Sequence, residues 1–169
     1  MKNNTSKPEH LPMIGVGPII VIPQLIITAV AIIMSEMGKI YSLQIAVLKI
    51  PFVIIGIALI IFGVWMWFGS NFISKIDGHI KENNLVTTGV YAMVRNPIYS
   101  AFFLMCIGAI FIESNISLFV LPVIYYAYMT VFLIKTEEKW LLKLYSQKYE
   151  EYCKNVNRCI PCIPRKKKK

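Results

Sequence analysis

The sequence predicts an all-α fold: a polytopic integral membrane helical bundle of about four transmembrane helices plus a C-terminal amphipathic cytoplasmic helix. The first reason is composition, because 56% of the 169 residues are hydrophobic and the mean hydropathy is +0.59, which is above the range of ordinary soluble domains. The second reason is length, because about 20 apolar residues cross the ~30 Å hydrocarbon core of a bilayer. The apolar runs lie at residues 14–34, 47–68, 98–112 and 116–134.

The first two apolar runs are long enough to span a membrane, whereas the third is short. Pro18 and Pro23 predict an irregular or kinked start to the first span. In the second span, Gly56 and Gly63 lie seven residues apart on one helical face and predict the close approach of a neighbouring helix. The short third run predicts a tilted helix or the first arm of a shallow hairpin.

Basic residues predict the orientation in the membrane, because Lys and Arg are retained on the cytoplasmic side. If four spans leave both termini in the cytoplasm, only Lys39 and Lys49 of the 18 Lys and Arg residues lie outside. We therefore expect cytoplasmic N- and C-termini and a single membrane domain over residues 1–169. Its parts are two N-terminal spans (1–68), a cytoplasmic loop (69–97), a hairpin of spans (98–134) and a cytoplasmic helix with a basic tail (135–169).

The net charge of +9 is concentrated in the C-terminal tail. Residues 135–169 carry eleven basic and four acidic side chains, and Arg165 is followed by four lysines. Such a cluster beside a span predicts binding to the anionic head groups of membrane lipids. The basic residues are not interleaved with aromatic residues as in nucleic-acid-binding segments, so we expect no nucleic-acid partner.

The cysteines predict structural roles. Cys106 lies within an apolar run and is expected in the core. Cys159 and Cys162 have the C-x-x-C spacing that occurs in metal and redox sites, but no second pair accompanies them. We therefore predict no metal site.

Polar residues on both sides of the last two apolar runs indicate a functional site. Tyr91 and Arg95 precede the third run, and Glu137 and Glu138 follow the fourth, so all four are expected at one face of the membrane. Polar groups beside lipid are costly unless they are paired or face a cavity, and their clustering therefore predicts a pocket.

The segments that flank this hairpin predict how the pocket is built. Pro97 suits the first turn of a helix, and together with Arg95 and Asn96 it predicts a backbone-donor site for an anion or carboxylate. Apolar residues at helical spacing after Glu138 predict an amphipathic helix that lies on the membrane, covers the pocket and ends before Pro161.

An ordered set of short segments resembles a known family. Leu-Val-Thr-Thr-Gly-Val-Tyr at 85–91, Arg-Asn-Pro-Ile-Tyr at 95–99, the acidic pair at 137–138 and Tyr-Glu-Glu-Tyr at 149–152 resemble the isoprenylcysteine carboxyl methyltransferase family. The related phospholipid methyltransferases are similar. The resemblance covers roughly residues 79–161 and implies a membrane enzyme that binds S-adenosylmethionine and methylates a lipophilic or lipid-linked substrate, with a carboxyl group as the favoured acceptor.

The resemblance also implies roles for individual residues. Glu137 corresponds to the acid that holds the cofactor, since a carboxylate can pair with the ammonium group of the methionine part. The predicted catalytic residues are Arg95 and Lys135, which orient the substrate, and Glu138, which (like Tyr99) can accept a proton from an amine substrate. The implied cofactor-binding residues are Asn83, Asn84, Leu85, Val86, Tyr91, Asn96, Pro97, Ile98, Tyr99 and Glu137.

Two positions depart from the family pattern. Asn96 stands where the family usually has His, and an amide keeps hydrogen bonding but loses titration. Leu133 stands where the carboxyl methyltransferases place an Arg that binds the substrate carboxylate, and the nearest cation is Lys135. The second departure weakens the case for a prenylcysteine carboxylate as substrate and keeps phospholipid N-methylation open.

Other interpretations fit the same residues. Taken singly, the tyrosines suit an interfacial aromatic belt, Arg95 a positive-inside anchor, and the acidic pair the start of a solvated helix. A sterol-type membrane reductase would need basic residues for the 2′-phosphate of a nicotinamide cofactor, and the main loop offers Lys75 and Lys81. A membrane scaffold or transporter subunit would be favoured by charges within the spans, where Lys49 alone appears, near an end.

Overall fold

The protein is a helical bundle in a computed structural model that describes residues 16–76 and 85–162, without the side chains of residues 73–76. Within those ranges the chain forms α-helices and two short 3₁₀ helices, and no strand. The all-α prediction is therefore confirmed. The α-helices are α1 (Gly17–Glu36), α2 (Ala46–Ile76), α3 (Pro97–Glu113), α4 (Val120–Lys135), α5 (Glu137–Tyr145) and α6 (Gln147–Asn155), and the 3₁₀ helices are Gly89–Ala92 and Ile116–Phe119.

Three segments in the described part of the chain are long and apolar enough to cross a membrane. They are Gly17–Glu36, Ala46–Phe72 and Ile116–Tyr145. The shorter apolar helix Pro97–Glu113 has 17 residues, which agrees with the short third run in the sequence. The protein is thus a multi-pass membrane protein, as predicted.

Helices α2 and α3 pack closely because glycine removes side chains from their interface. A Cβ atom built on Gly56 would lie 2.5 Å from the carbonyl oxygen of Gly108, and one built on Gly108 would lie 2.6 Å from that of Gly56. At Gly63 the corresponding atom would lie 2.8 Å from the carbonyl oxygen of Ala101. Real Cβ atoms do not approach so near, so the predicted role of Gly56 and Gly63 in close helix packing is confirmed.

Helix α1 packs against α3 and α4 through its inward face. The Tyr128 hydroxyl donates to the carbonyl oxygen of Ile19 at 2.7 Å. Further along α1, the hydroxyls of Thr28 and Tyr125 are hydrogen-bonded at 2.9 Å. The core between the three helices includes Ile20, Phe103, Cys106, Ile110, Tyr125, Met129 and Leu133, so the predicted core position of Cys106 is confirmed.

One end of the bundle is closed by the loops that follow α1 and α3. The Ser35 hydroxyl donates to Glu113 at 2.7 Å, and the Asn115 amide donates to the Ser35 hydroxyl at 2.9 Å. The side-chain oxygen Oδ1 of Asn115 accepts hydrogen bonds from the backbone N–H groups of Leu43 and Ser117 at 3.2 and 3.1 Å. We refer to this region, defined by Ser35, Glu113 and Asn115, as the loop end.

The segment after α4 forms two short helices in place of the single C-terminal helix predicted. Ser146 separates α5 from α6 with φ +47° and ψ −122°, a conformation that no helix contains. Helix α6 ends at Asn155, before the prolines that were expected to end the helix. Its tyrosines Tyr149 and Tyr152 are buried against the rest of the protein, so this segment packs as a folded part of the bundle end.

Candidate functional site

The end of the bundle opposite the loop end brings together the starts of α1, α3 and α5. Tyr99 is the third residue of α3, and its hydroxyl donates to Oε1 of Glu137, the first residue of α5. The Glu137 carboxylate also accepts the backbone N–H of Val16. A Cβ atom on Gly17 would lie 3.7 Å from the Tyr99 ring, so the start of α1 packs over this pair. We call the region defined by Val16, Tyr99 and Glu137 the site end.

Beside this pair lies a cluster of three charged side chains. Glu138 accepts two hydrogen bonds from Arg158, from Nε to Oε1 at 2.6 Å and from Nη2 to Oε2 at 2.9 Å. Nη1 of Arg95 lies 3.1 Å from the same Oε1 atom. The side chains of Arg95 and Glu138 are 9% and 13% exposed, so the ion pairs are largely shielded from water. The bidentate contact with Glu138 is the main reason that the pKa of Arg158 is raised.

Asn96 is buried and connects α3 to the last described segment. Its side-chain amide donates to the carbonyl oxygen of Arg158 at 3.1 Å, and its own backbone carbonyl accepts the N–H and hydroxyl of Ser100. Pro97 occupies the first turn of α3, as predicted. The backbone N–H of Arg95 donates to the carbonyl oxygen of Asn157 at 2.8 Å, so this donor is used within the fold. The predicted backbone-donor site for an anion beside Arg95 and Asn96 stays a prediction.

The segment after α6 crosses the site end and is fixed there by backbone hydrogen bonds. Besides the bond from Arg95 to Asn157, the N–H of Cys162 donates to the carbonyl oxygen of Met93 at 3.0 Å. The Tyr152 hydroxyl donates to the carbonyl oxygen of Tyr91 at 2.6 Å. Residues 156–162 therefore form a strap over the loop that precedes α3.

Burial controls the titration of the groups in and near this strap. It raises the pKa of the Tyr149 and Tyr152 hydroxyls, which stay protonated and can act as donors at neutral pH. Burial likewise raises the pKa of the Cys159 thiol to about 12. A thiol with that pKa is a poor nucleophile and metal ligand at neutral pH, which agrees with the structural role predicted for Cys159.

One donor in the cluster has no partner. Nη1 of Arg95 contacts Glu138 and the Cys153 sulfur, but its Nε atom is buried and unpaired within residues 16–76 and 85–162. An unpaired buried donor costs free energy, and this one lies at the same end of the bundle as Tyr99 and Glu137. In the same part of the chain, no three His, Cys, Asp or Glu side chains form a group that could hold a metal ion.

The remaining predicted site residues are placed less centrally. Leu85 and Val86 are half-buried and lie outside any helix, and Ile98 is half-buried in the first turn of α3. Lys135 is exposed at the end of α4, whereas Leu133 is fully buried in the core. Asn83 and Asn84 lie outside the described residues.

A profile of the phospholipid methyltransferase family matches residues 51–148. The chain belongs to this family. The match contains α3, α4 and the residues Arg95, Tyr99, Glu137 and Glu138, whereas α1 and the strap lie outside it.

Two curated relatives give the same family context. A protein named protein-S-isoprenylcysteine O-methyltransferase from Schizosaccharomyces pombe is 37% identical over 87 residues, which is 50% of this chain and 36% of the relative. One of the same name from Saccharomyces cerevisiae is 34% identical over 84 residues, which is 49% of this chain and 35% of that relative. The predicted resemblance to the isoprenylcysteine carboxyl methyltransferases is confirmed. No solved structure matches the chain.

Sequence reasoning missed Arg158 and Cys153, which complete the charged cluster of this phospholipid methyltransferase family member. Both lie in the segment 135–169, which was predicted as a cytoplasmic helix with a basic tail, and neither was assigned a role in the site. The available signal was the acidic pair itself, because a buried carboxylate such as Glu138 requires a cationic partner. The sequence did not indicate which of the basic residues after α4 supplies it.

Proposed function

We propose that the protein is an S-adenosylmethionine-dependent membrane methyltransferase that acts on a lipophilic or lipid-linked substrate, with a carboxyl group as the favoured acceptor. One observation carries the proposal: residues far apart in sequence converge at the site end, as the pairs Tyr99 with Glu137 and Glu138 with Arg158 show. Family membership and the relatives named as O-methyltransferases support the same reaction class.

The residues at the site end fit the chemical groups of S-adenosylmethionine. The Glu137 carboxylate suits the ammonium group of the methionine part, and the unpaired Nε–H of Arg95 suits its carboxylate. The rings of Tyr91 and Tyr99 offer aromatic faces for a sulfonium. We propose that these residues bind the cofactor together with Asn96, Pro97, Ile98 and the segment 83–86.

The contribution of the chain to methyl transfer is positioning and the exclusion of water. Bound S-adenosylmethionine supplies a methyl group that the sulfonium already activates. We propose that Arg95 and Lys135 orient the acceptor for in-line attack. Glu138 remains the proposed proton acceptor for an amine substrate. Because Arg158 and Arg95 occupy its oxygens, we propose that its main role with a carboxylate substrate is to hold Arg95 in place.

Two acceptor classes compete. Phospholipid amines are favoured by the buried Leu133 at the position where carboxyl methyltransferases carry a substrate-binding Arg. Carboxylates are favoured by the two guanidinium groups of Arg95 and Arg158 beside Glu138, because two cations against one acid leave net positive charge in this cluster. We prefer the carboxylate, because a carboxylate accepts a methyl group without losing a proton. The two acids at the site end, Glu137 and Glu138, already have partners within the fold.

The proposed arrangement in the membrane follows the distribution of charge. We propose that α3 is the fourth membrane-crossing element, that both termini are cytoplasmic, and that the site end faces the cytoplasm. The basic residues of the tail then lie beside the anionic head groups of the inner leaflet. Cysteine accessibility to an impermeant reagent in sealed vesicles tests this orientation at Cys162, which is exposed.

Calorimetric binding of S-adenosylmethionine to the detergent-purified protein tests the proposed cofactor. We expect micromolar affinity that is lost in Glu137→Ala and retained in Glu150→Ala, which removes an exposed carboxylate from α6. Absence of binding to the wild-type protein would reject the proposed function.

Transfer of a labelled methyl group tests the acceptor. N-acetyl-S-farnesylcysteine and phosphatidylethanolamine vesicles are offered separately, and the labelled product is treated with alkali. A methyl ester releases its label as methanol, whereas an N-methyl group is stable. Label in an alkali-stable product from the phospholipid alone would overturn the preference for carboxylates while leaving the methyltransferase proposal intact.

A further inference from the structure

The inward face of α1 carries a polar side chain that the proposed site does not use. Gln24 is 1% exposed, and neither its amide nitrogen nor its carbonyl oxygen has a hydrogen-bond partner in the part of the chain that the structure describes. The other buried polar side chains of this helix are paired, Thr28 with Tyr125 and Ser35 with Glu113. A buried amide without partners costs about 1–3 kcal/mol on mutational scales, so its position requires an explanation.

The contacts of α1 locate Gln24 inside the bundle. It lies between the residues whose contacts join α1 to α4, namely Ile19, which accepts from Tyr128, and Thr28, which pairs with Tyr125. It lies eight residues along the helix from Val16, whose N–H binds Glu137. At 1.5 Å per residue this separation is about 12 Å. The amide is therefore enclosed at a defined depth below the site end.

A primary amide at this position offers hydrogen-bonding groups that apolar packing does not need. A Leu or Met side chain of similar volume fills a buried helical position without an unpaired polar group. A primary amide adds N–H donors and one carbonyl acceptor. A hydrocarbon chain in contact with Gln24 leaves all of them unpaired, whereas a hydroxyl group on the chain can both donate and accept.

We propose that Gln24 recognises an oxygen-bearing group, a hydroxyl or a carbonyl, within the chain of the lipophilic substrate, about 12 Å from the site end. The inference rests on the proposed function for the identity of the reacting end. It also assigns to α1 a part in choosing the substrate, although α1 lies outside the segment that matches the family. The preferred substrate is thus an oxygenated chain, and a plain isoprenoid or alkyl chain binds more weakly.

A series of thioethers tests this inference without turnover. N-acetylcysteine carrying an S-dodecyl chain is compared with analogues in which a single hydroxyl is moved along that chain. The readout is the increase in Tm of the detergent-purified full chain without S-adenosylmethionine, since ligand binding stabilises the folded state. The variants are Gln24→Leu, Gln24→Met and the neighbouring control Ile20→Leu, which conserves volume on the same face.

We expect one hydroxyl position to bind about tenfold more tightly than the plain chain, as one added hydrogen bond in a buried site allows. This preference should disappear in Gln24→Leu and Gln24→Met and persist in Ile20→Leu. Both Gln24 variants should also have a higher Tm without ligand, because the unpaired amide is removed; two variants are used so that a folding failure of one does not prevent the test.

Two results would overturn the inference. One is an equal increase in Tm for the plain and hydroxylated chains at every position in the wild-type protein, as expected if Gln24 only holds a buried water molecule. The other is a preference that persists in both Gln24 variants. Failure of the proposed function is a separate observation, namely absence of S-adenosylmethionine binding by calorimetry, and it leaves the chain-selectivity result readable.

Discussion

The two ends of the helix bundle both bury acidic side chains, but they do so differently. At the loop end, Glu113 accepts from Ser35 in the last turn of α1, and Asn115 binds Leu43 and Ser117 in the connections that follow α1 and α3. The buried side-chain atoms of Ser35 and Asn115 are paired. At the site end, Glu137 and Glu138 are bound by residues from the first and last described parts of the chain.

The comparison shows that burial of polar groups does not by itself indicate function. The loop-end network uses its donors and acceptors to close the bundle, which is a structural role. The site-end network leaves the Nε atom of Arg95 unpaired within the described residues. Hydrogen-bonding capacity that the fold does not use is the feature that separates a candidate binding site from a structural cap.

The largest expected effect is at Glu138. Glu138→Ala leaves the guanidinium groups of Arg95 and Arg158 without their acid in a shielded position, and we expect a loss of about 3–5 kcal/mol in the free energy of unfolding. Thermal unfolding in detergent checks this, with Glu151→Ala as the control because Glu151 is exposed on α6. Equal stability of the two variants would show that the cluster does not hold the site end together.

A smaller effect is expected at the loop end. Asn115→Ala removes the acceptor of the Leu43 and Ser117 N–H groups and the donor to Ser35, and should cost about 1–3 kcal/mol. Affinity for S-adenosylmethionine, measured by calorimetry below the unfolding temperature, should stay unchanged. A changed affinity would contradict the structural role of this end.

A binding effect with a modest change in stability is expected at Tyr99. Tyr99→Phe removes the hydroxyl that donates to Glu137 but keeps the ring, and we expect roughly 3- to 10-fold weaker binding of S-adenosylmethionine. Tyr126→Phe is the matched control, because Tyr126 is exposed on α4. If both variants bind as well as the wild-type protein, the Tyr99 hydroxyl has no role in cofactor binding.

The smallest expected effect is at the two cysteines of the strap, Cys159 and Cys162. Their substitution should change chemical labelling and leave the free energy of unfolding unchanged. With its pKa raised to about 12, the Cys159 thiol is about one part in ten thousand thiolate at pH 8. We therefore expect Cys162→Ser to remove most of the rapid maleimide labelling of the strap and Cys159→Ser to remove none, as measured by mass spectrometry. Rapid labelling of Cys159 would indicate that the strap opens.

The features predicted from sequence are those that depend on local patterns. Apolar length located the helices, the spacing of Gly56 and Gly63 indicated a close helix contact, and polar residues on both sides of one hairpin brought Tyr99 and Glu137 to the same end. The partner of Glu138 was missed because Arg158 lies 20 residues further along the chain, beyond any helical spacing. The break at Ser146 was missed because a Ser residue carries no local signal for positive φ.

The strap has a consequence for the order of events during synthesis. The ribosome adds Arg95, Asn96 and Glu138 before it adds Arg158. Glu138 nevertheless binds the Arg158 side chain and Asn96 binds its carbonyl oxygen. The backbone N–H of Arg95 binds the neighbouring residue, Asn157. Until these residues are made, the Glu138 carboxylate lacks its bidentate partner and the backbone N–H of Arg95 lacks its acceptor. The contacts of the site end are complete only when residue 162 is in place, so assembly of the proposed active site requires a segment that is made after all four apolar helices.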